Sequence, residues 1–144
     1  MRFTGKGRFG ALFCLLLVPA IAQAQRPCEA ETAALMTQKS SWEDMHRAAR
    51  VLPPHCFDGH FAEGISETIV RKMREDWPGF LVLMAKHPRQ DAFFELVLRS
   101  INPTLDTADL KELDALAHKS CPAAQRARCD AIAREAAAAL KDAN

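Results

Sequence analysis

Four cysteines, Cys28, Cys56, Cys121 and Cys129, constrain the fold of this chain more than any other feature of its sequence. In an oxidising compartment an even number of cysteines predicts disulfides, here two bonds with three alternative connectivities. Cys121 and Cys129 would lie about 12 Å apart in one continuous helix, whereas a disulfide tolerates about 6 Å. Pairing these two cysteines therefore predicts a helix break near Pro122.

The local pairing leaves Cys28 to bond with Cys56. That bond would tie the first helix to the loop that follows the second. Closing a segment of this length stabilises a fold by about 3 kcal/mol in the chain-entropy model. We favour this connectivity, and the crossed pairings stay open on the sequence alone.

The first 24 residues predict a signal peptide, so we expect residues 25–144 to form one mature domain. A basic start precedes the apolar run Ala11–Val18, and residues 22–24 supply the small-x-small cleavage pattern. The apolar run is too short to span a bilayer, which takes about 20 residues. Cleavage near Ala24 removes a fifth cysteine, Cys14, and predicts a periplasmic or secreted protein without a stable membrane anchor.

The charge balance of the expected mature chain argues against nucleic acid as a partner. Residues 25–144 carry 16 Lys and Arg against 18 Asp and Glu, and no run of basic residues suggests a local patch. A protein that binds nucleic acid or an anionic membrane surface needs a basic face. We therefore expect a protein partner, and a single domain long enough to bury its own core.

The spacing of apolar residues predicts an all-α fold, an irregular bundle of six or seven short helices stapled by the two disulfides. Trp42, Met45 and Ala49 recur at helical spacing. Ser41 and Asp44 form a capping pair at the start of the same segment. Strand signals are poor, because no stretch alternates apolar and polar residues over several positions.

Prolines and glycines set the expected helix boundaries. We expect the first helix to run from Pro27 to about Gln38, and Pro78-Gly79 to end the third. The uniformly apolar run 80–85 that follows fits a buried helix better than a strand, because it contains Met and Ala.

The densest polar cluster of the sequence offers a candidate metal site. His55, Asp58 and His60 could together ligate a divalent ion, because imidazole and carboxylate suit zinc and related metals. Their spacing matches no helical i, i+4 pair, however. The alternative is a polar turn in which Cys56 forms a disulfide, Asp58 caps the next helix and both histidines are solvated.

His46, Phe80 and Phe93 each have a structural and a functional interpretation. His46 lies beside the apolar row of its helix, and we interpret it as a partly buried structural residue rather than a catalytic base. Phe93 falls off the row defined by Phe94 and Val97, so Phe93 and the apolar run that starts at Phe80 are candidates for a partner-binding surface. The alternative is a second buried face in a bundle packed on two sides.

No catalytic or cofactor motif occurs in residues 25–144. CxxC, CxxCH, GxSxG, GxGxxG and HExxH are absent from this expected mature chain, so we expect neither an enzyme nor a bound cofactor. The expected function is that of a small exported helical binding protein that acts by protein–protein interaction, as inhibitors and immunity proteins against secreted toxins do. The alternatives are a periplasmic chaperone or structural protein, and a metal-binding hydrolase that uses His55, Asp58 and His60.

Overall fold

The computed structural model describes residues 26–87 and 91–143, which form seven α-helices and no strand. The helices are α1 (Arg26–Thr32), α2 (Trp42–Val51), α3 (Gly59–Glu75), α4 (Trp77–Lys86), α5 (Ala92–Ser100), α6 (Thr107–Lys119) and α7 (Arg126–Asp142). Short 3-10 helices precede α3 and α7, at Pro54–Cys56 and Ala123–Gln125. The predicted all-α class is confirmed, and the predicted signal peptide lies outside the described residues.

α3 lies at the centre of the bundle, where it contacts α1, α4, α5 and α6. Its residues Ile65, Ile69 and Met73 recur at four-residue spacing and are completely buried. α6 and α7 pack against each other as a helical hairpin, with Leu113 and Ile132 fully buried between the helices and the core. One continuous apolar core therefore connects these helices.

Both favoured disulfides are present. Cys28 bonds to Cys56 with 5.2 Å between their Cα atoms, and Cys121 bonds to Cys129 with 6.2 Å. The helix break expected near Pro122 is present as well, because α6 ends before Cys121 and α7 begins shortly before Cys129. The first bond ties α1 to the 3-10 helix after α2, and the second holds the α6–α7 turn closed.

The boundary between α3 and α4 differs from the sequence expectation. α3 ends at Glu75, and Pro78 lies in the first turn of α4 instead of ending α3, because the missing N–H of a proline costs little there. The Asp76 side chain caps this turn by accepting a hydrogen bond from the N–H of Gly79 at 3.0 Å. The apolar run 80–85 is helical, as expected.

α1 is shorter than the sequence predicted. It ends at Thr32 instead of near Gln38, and the N–H groups of Leu35 and Met36 both donate to the Thr32 carbonyl in the turn that follows. This turn directs Leu35 into the core, where it is fully buried, while Met36 lies at the surface. The early end of α1 therefore allows one more apolar side chain, that of Leu35, to lie in the core.

Phe80 and Phe93 do not form a partner-binding surface, because both side chains are completely buried. The ring of Phe80 lies between those of Trp42 and Trp77, with 5.5 Å between its centroid and each of theirs. Phe93 packs edge-on against Trp42 and against His46. α5 contacts both α2 and α3, so two of its faces are buried, and the structural alternative for these residues is correct.

Candidate functional site

Two helices meet at a buried pair of ionisable side chains, His46 on α2 and Asp91 at the start of α5. Nε2 of His46 lies 2.9 Å from Oδ2 of Asp91, and the two side chains are only 8% and 9% exposed. Oδ1 of the same carboxylate accepts hydrogen bonds from the backbone N–H groups of Phe93 and Phe94, so Asp91 is the N-cap of α5. Both oxygens of the carboxylate are therefore fixed by neighbouring donors.

His87, which follows the last residue of α4, completes a three-residue cluster with this pair. Its ring stacks on the ring of His46, with 3.7 Å between centroids and 20° between planes. Its backbone carbonyl accepts a hydrogen bond of 2.7 Å from the buried Arg128 of α7, which fixes the position of the residue. We refer to His46, His87 and Asp91 as the His–Asp cluster.

Opposing effects act on the pKa of Asp91. Burial raises the pKa of this carboxyl, but the hydrogen bond and charge of His46, together with two backbone N–H donors, outweigh burial and hold the pKa below its ordinary value. The carboxylate is therefore ionised at neutral pH. One ligand atom from each of His46, His87 and Asp91 lies within 4.8 Å of the other two, so the cluster can share protons or hold a cation.

A cleft of about 200 Å³ opens next to this cluster, between the end of α2 and the exposed face of α5. It begins one turn after His46, at Ala49, and directly after Asp91, at Ala92. The other residues that shape it are Leu52, Pro53, Pro54, Phe57, Glu95, Leu96 and Arg99. We refer to this feature as the α2–α5 cleft.

Arg99 carries the positive charge of the α2–α5 cleft. Its guanidinium lies over the ring of the half-buried Phe57, 4.4 Å from the ring centroid. Within the described part of the chain, no carboxylate forms an ion pair with Arg99, although Glu95 precedes it by one turn of α5. The exposed guanidinium therefore keeps its N–H donors available at the edge of an apolar cleft.

The structure does not assemble His55, Asp58 and His60 into one set of ligands. Asp58 caps α3, as the polar-turn alternative predicted, and both histidines are exposed. Over residues 26–87 and 91–143, His55 belongs to a close group of ligand atoms only with Cys28 and Cys56. The sulfurs of these cysteines are joined to each other in a disulfide, so the group offers a single imidazole.

Sequence reasoning placed His46 correctly beside the core but missed its two partners. Asp91 carried a local signal, because an Asp immediately before a helical apolar segment is a typical N-cap. Its bond to His46 spans 45 positions of the sequence, and no local pattern encodes a contact between helices so far apart. His87 carried no signal of its own, since a single histidine after an apolar run is unremarkable in composition.

Similarity to known proteins does not identify the function of this chain. No protein-family model, no curated protein and no solved structure matches it. Its function must therefore be inferred from its own residues and their geometry.

Two structural observations bear on the cellular compartment in which the protein is found. The Cys28–Cys56 and Cys121–Cys129 disulfides are consistent with an oxidising extracellular environment. In the part of the chain that the structure describes, no helix has both the length and the apolar character that crossing a bilayer requires.

Proposed function

We propose that this protein is an exported binding protein that docks on another periplasmic or secreted protein and catalyses no reaction. The observation that carries the proposal is the α2–α5 cleft, where an apolar surface lies beside an arginine without a carboxylate partner in the described chain. The predicted signal peptide and the two disulfides support an exported location. An inhibitor or an immunity protein against a secreted toxin is the form of this function that we favour.

The wall of the cleft is rigid before any partner binds. Pro53 and Pro54 fix the backbone that leaves α2, because the pyrrolidine ring locks φ. The next residues form a 3-10 helix in which the N–H of Cys56 donates to the Pro53 carbonyl, and the disulfide to Cys28 anchors this segment to α1. A preformed wall lowers the entropy that ordering would cost on binding.

The residues of the cleft define the chemistry of the partner. Leu52, Phe57 and Leu96 supply apolar contact area, and the Arg99 guanidinium can donate two parallel hydrogen bonds to one carboxylate. The volume of about 200 Å³ suits one or two side chains, because pockets for drug-sized molecules occupy about 300–1,000 Å³. The occupant that fits is a protein segment with an apolar side chain next to Asp or Glu.

Selection from a displayed peptide library tests this specificity without knowledge of the natural partner. Residues 25–144 are immobilised after oxidative folding, and we expect enrichment of peptides that pair a large apolar residue with Asp or Glu. Arg99→Ala should bind these peptides at least about tenfold more weakly, the loss of one charge-assisted contact. The matched control is Arg134→Ala, which removes an exposed arginine from α7. Peptides that bind Arg99→Ala and the unmodified protein equally would overturn the proposal.

Photo-crosslinking in the native host identifies the partner. A photoreactive amino acid replaces Ala92, which is exposed and lines the cleft, or Val82, which is 57% exposed on α4. We expect one discrete adduct with an exported protein from position 92 only, and its loss when Arg99→Ala is added. Many weak adducts from both positions would instead favour the chaperone alternative and contradict a specific partner.

A further inference from the structure

We propose that the His–Asp cluster is a binding site for one divalent transition-metal ion of the zinc type. The site consists of one nitrogen from each of His46 and His87 and one carboxylate oxygen of Asp91. These three ligand atoms lie within 4.8 Å of one another. Two imidazoles and a carboxylate are a donor set that zinc and related ions prefer.

One distance within the cluster is close to that of a metal site. Tetrahedral zinc holds nitrogen and oxygen ligands at about 2.0–2.2 Å, which places neighbouring ligand atoms about 3.3–3.6 Å apart. Nε2 of His46 and Oδ2 of Asp91 already lie 2.9 Å apart, so the pair needs to open by only a few tenths of an ångström. An ion would replace the proton that these two atoms now share.

The stacked arrangement of the two histidines is the observation that a simple capping interaction leaves unexplained. The N-cap role of Asp91 and its bond to His46 need no second imidazole. His87 nevertheless lies with its ring 3.7 Å from that of His46 and nearly parallel to it. A nitrogen lone pair lies in the plane of its imidazole ring, so these nearly parallel rings direct their lone pairs side by side, and the half-buried His87 ring must tilt for its nitrogen to bind the same ion as His46.

Residues around the cluster hold the ligands in place through hydrogen bonds, as the neighbours of metal ligands do in metal proteins. The backbone N–H groups of Phe93 and Phe94 bind Oδ1 of Asp91 and leave its Oδ2 for the cluster. Arg128 binds the backbone carbonyl of His87 and so fixes the ligand that follows the end of α4. The His87 side is also the half-buried side of the cluster, so a fourth ligand could come from water or from a partner there.

Cobalt titration tests the site directly. The folded chain is treated with chelator and titrated with Co²⁺ alone, whose visible bands report coordination number and distinguish nitrogen–oxygen sites from solvated ions. We expect saturation at one equivalent, displacement of Co²⁺ by Zn²⁺, and a melting temperature that rises with Zn²⁺ concentration. The absence of a stoichiometric complex with either metal would overturn the proposal.

Variants distinguish this site from the other histidines of the chain. His87→Ala removes a half-buried ligand and Asp91→Asn keeps the size of the side chain, so both can be checked for native circular dichroism before titration. Each should weaken metal binding at least about tenfold. The matched control, His55→Ala with His60→Ala, also removes imidazoles but should leave the affinity unchanged. Loss of binding in this control, with binding retained in His87→Ala, would assign the metal to the exposed segment and overturn the proposal.

Separate variants test the metal site and the proposed binding function, so one proposal can be wrong while the other holds. Arg99→Ala should retain one equivalent of Co²⁺, and His87→Ala should still bind the peptides selected on the α2–α5 cleft. Loss of metal binding in Arg99→Ala would contradict a site confined to the His–Asp cluster.

Discussion

His46 and Asp91 connect two helices through one buried hydrogen bond: Nε2 of His46 lies 2.9 Å from Oδ2 of Asp91, 45 positions later in the sequence. The same carboxylate caps α5 through its other oxygen. A single side chain thus starts one helix and attaches it to another. Because both partners are more than nine-tenths buried, loss of either would leave a buried polar group unsatisfied.

Asp91→Ala is expected to lower the free energy of unfolding by about 2 to 3 kcal/mol. The substitution removes the cap of α5, worth about 1 kcal/mol, and leaves His46 without its acceptor. Urea denaturation at pH 7 in the presence of chelator measures the loss. Asp58→Ala is the control, since it removes the exposed cap of α3 and should cost about 1 kcal/mol or less. Equal losses of unfolding free energy in the two variants would show that the bond from Asp91 to His46 adds no stability beyond that of the helix cap.

The pH dependence of stability should report the ionisation of Asp91. Its pKa lies below the ordinary value in the folded protein, so the carboxylate stabilises the fold above the pKa of the unfolded chain. This contribution is lost as the pH falls through the lower, folded pKa. In metal-free buffer, the stability difference between the unmodified protein and Asp91→Asn should therefore shrink between about pH 5 and pH 2.

The other acidic groups provide the control for this measurement. Hydrogen bonds from Lys86 and from Ser41 lower the pKa values of Glu43 and Asp44, respectively, and both groups remain in the Asp91→Asn variant. Their contributions cancel in the difference between the two proteins. A difference that stays constant down to pH 2 would contradict a lowered pKa at Asp91.

Two helical glycines should respond in opposite ways to alanine. A Cβ atom on Gly79 would clash with the Asp76 carboxylate, which caps α4 and accepts a hydrogen bond of 2.8 Å from Nε1 of Trp42. A Cβ atom on Gly64 would meet only the flexible side chain of Met36. We expect Gly79→Ala to cost about 1 to 2 kcal/mol and Gly64→Ala to be neutral or stabilising by up to about 1 kcal/mol. Thermal unfolding measures which of the two variants is less stable. A Gly64→Ala variant less stable than Gly79→Ala would contradict this account.

Local signals predicted most of the helices of this protein and favoured the observed pairing of its disulfides, although the crossed pairings stayed open. A bond between Cys121 and Cys129 requires a turn between them because of their eight-residue spacing, and the structure has that turn. Pro78 starts α4 and does not end α3, because a proline can occupy the first turn of a helix and the Asp76 cap decides between these two roles. Local sequence therefore predicts most of the helices. Where one helix closely follows another, side-chain contacts decide at which residue the first ends and the second begins.

The sequence predicts much less of the candidate site than of the fold. Phe93 lies off the main apolar row of α5, yet it is buried because that helix packs against both α2 and α3. His87 and Asp91 gain their significance only when packing places them beside α2. His55, Asp58 and His60 are close in sequence, but this proximity does not make their side chains converge.

Loss of the two disulfides should have unequal costs. The Cys28–Cys56 bond closes 28 residues of chain and the Cys121–Cys129 bond closes eight. In the chain-entropy model the longer loop stabilises the fold by about 1 kcal/mol more than the shorter one. Urea denaturation of the two double Cys→Ala variants measures this difference. A lower midpoint for the Cys121 and Cys129 variant would show that packing around the α6–α7 turn outweighs loop closure.

Substitution of Arg128 should lower the stability of the fold more than substitution of any other charged residue of α7. Its guanidinium donates to the backbone carbonyls of Met84 and His87 and to Oε1 of Gln125, so it satisfies the C-terminal end of α4 from within the protein. Arg128→Ala leaves these acceptors without their donor, and we expect a loss of about 3 kcal/mol. The exposed neighbour Arg126 is the control, and Arg126→Ala should change stability by no more than about 0.5 kcal/mol.

Hydrogen exchange locates the effect of Arg128→Ala. Because the guanidinium binds carbonyls of residues 84 and 87, the amides at the end of α4 and the start of α5 should lose protection before those of the α6–α7 hairpin do. Since His87 is held through its carbonyl, the same variant should also loosen the stacking of His87 on His46. Uniform loss of protection along the chain would show that Arg128 stabilises the core as a whole and does not specifically anchor the end of α4.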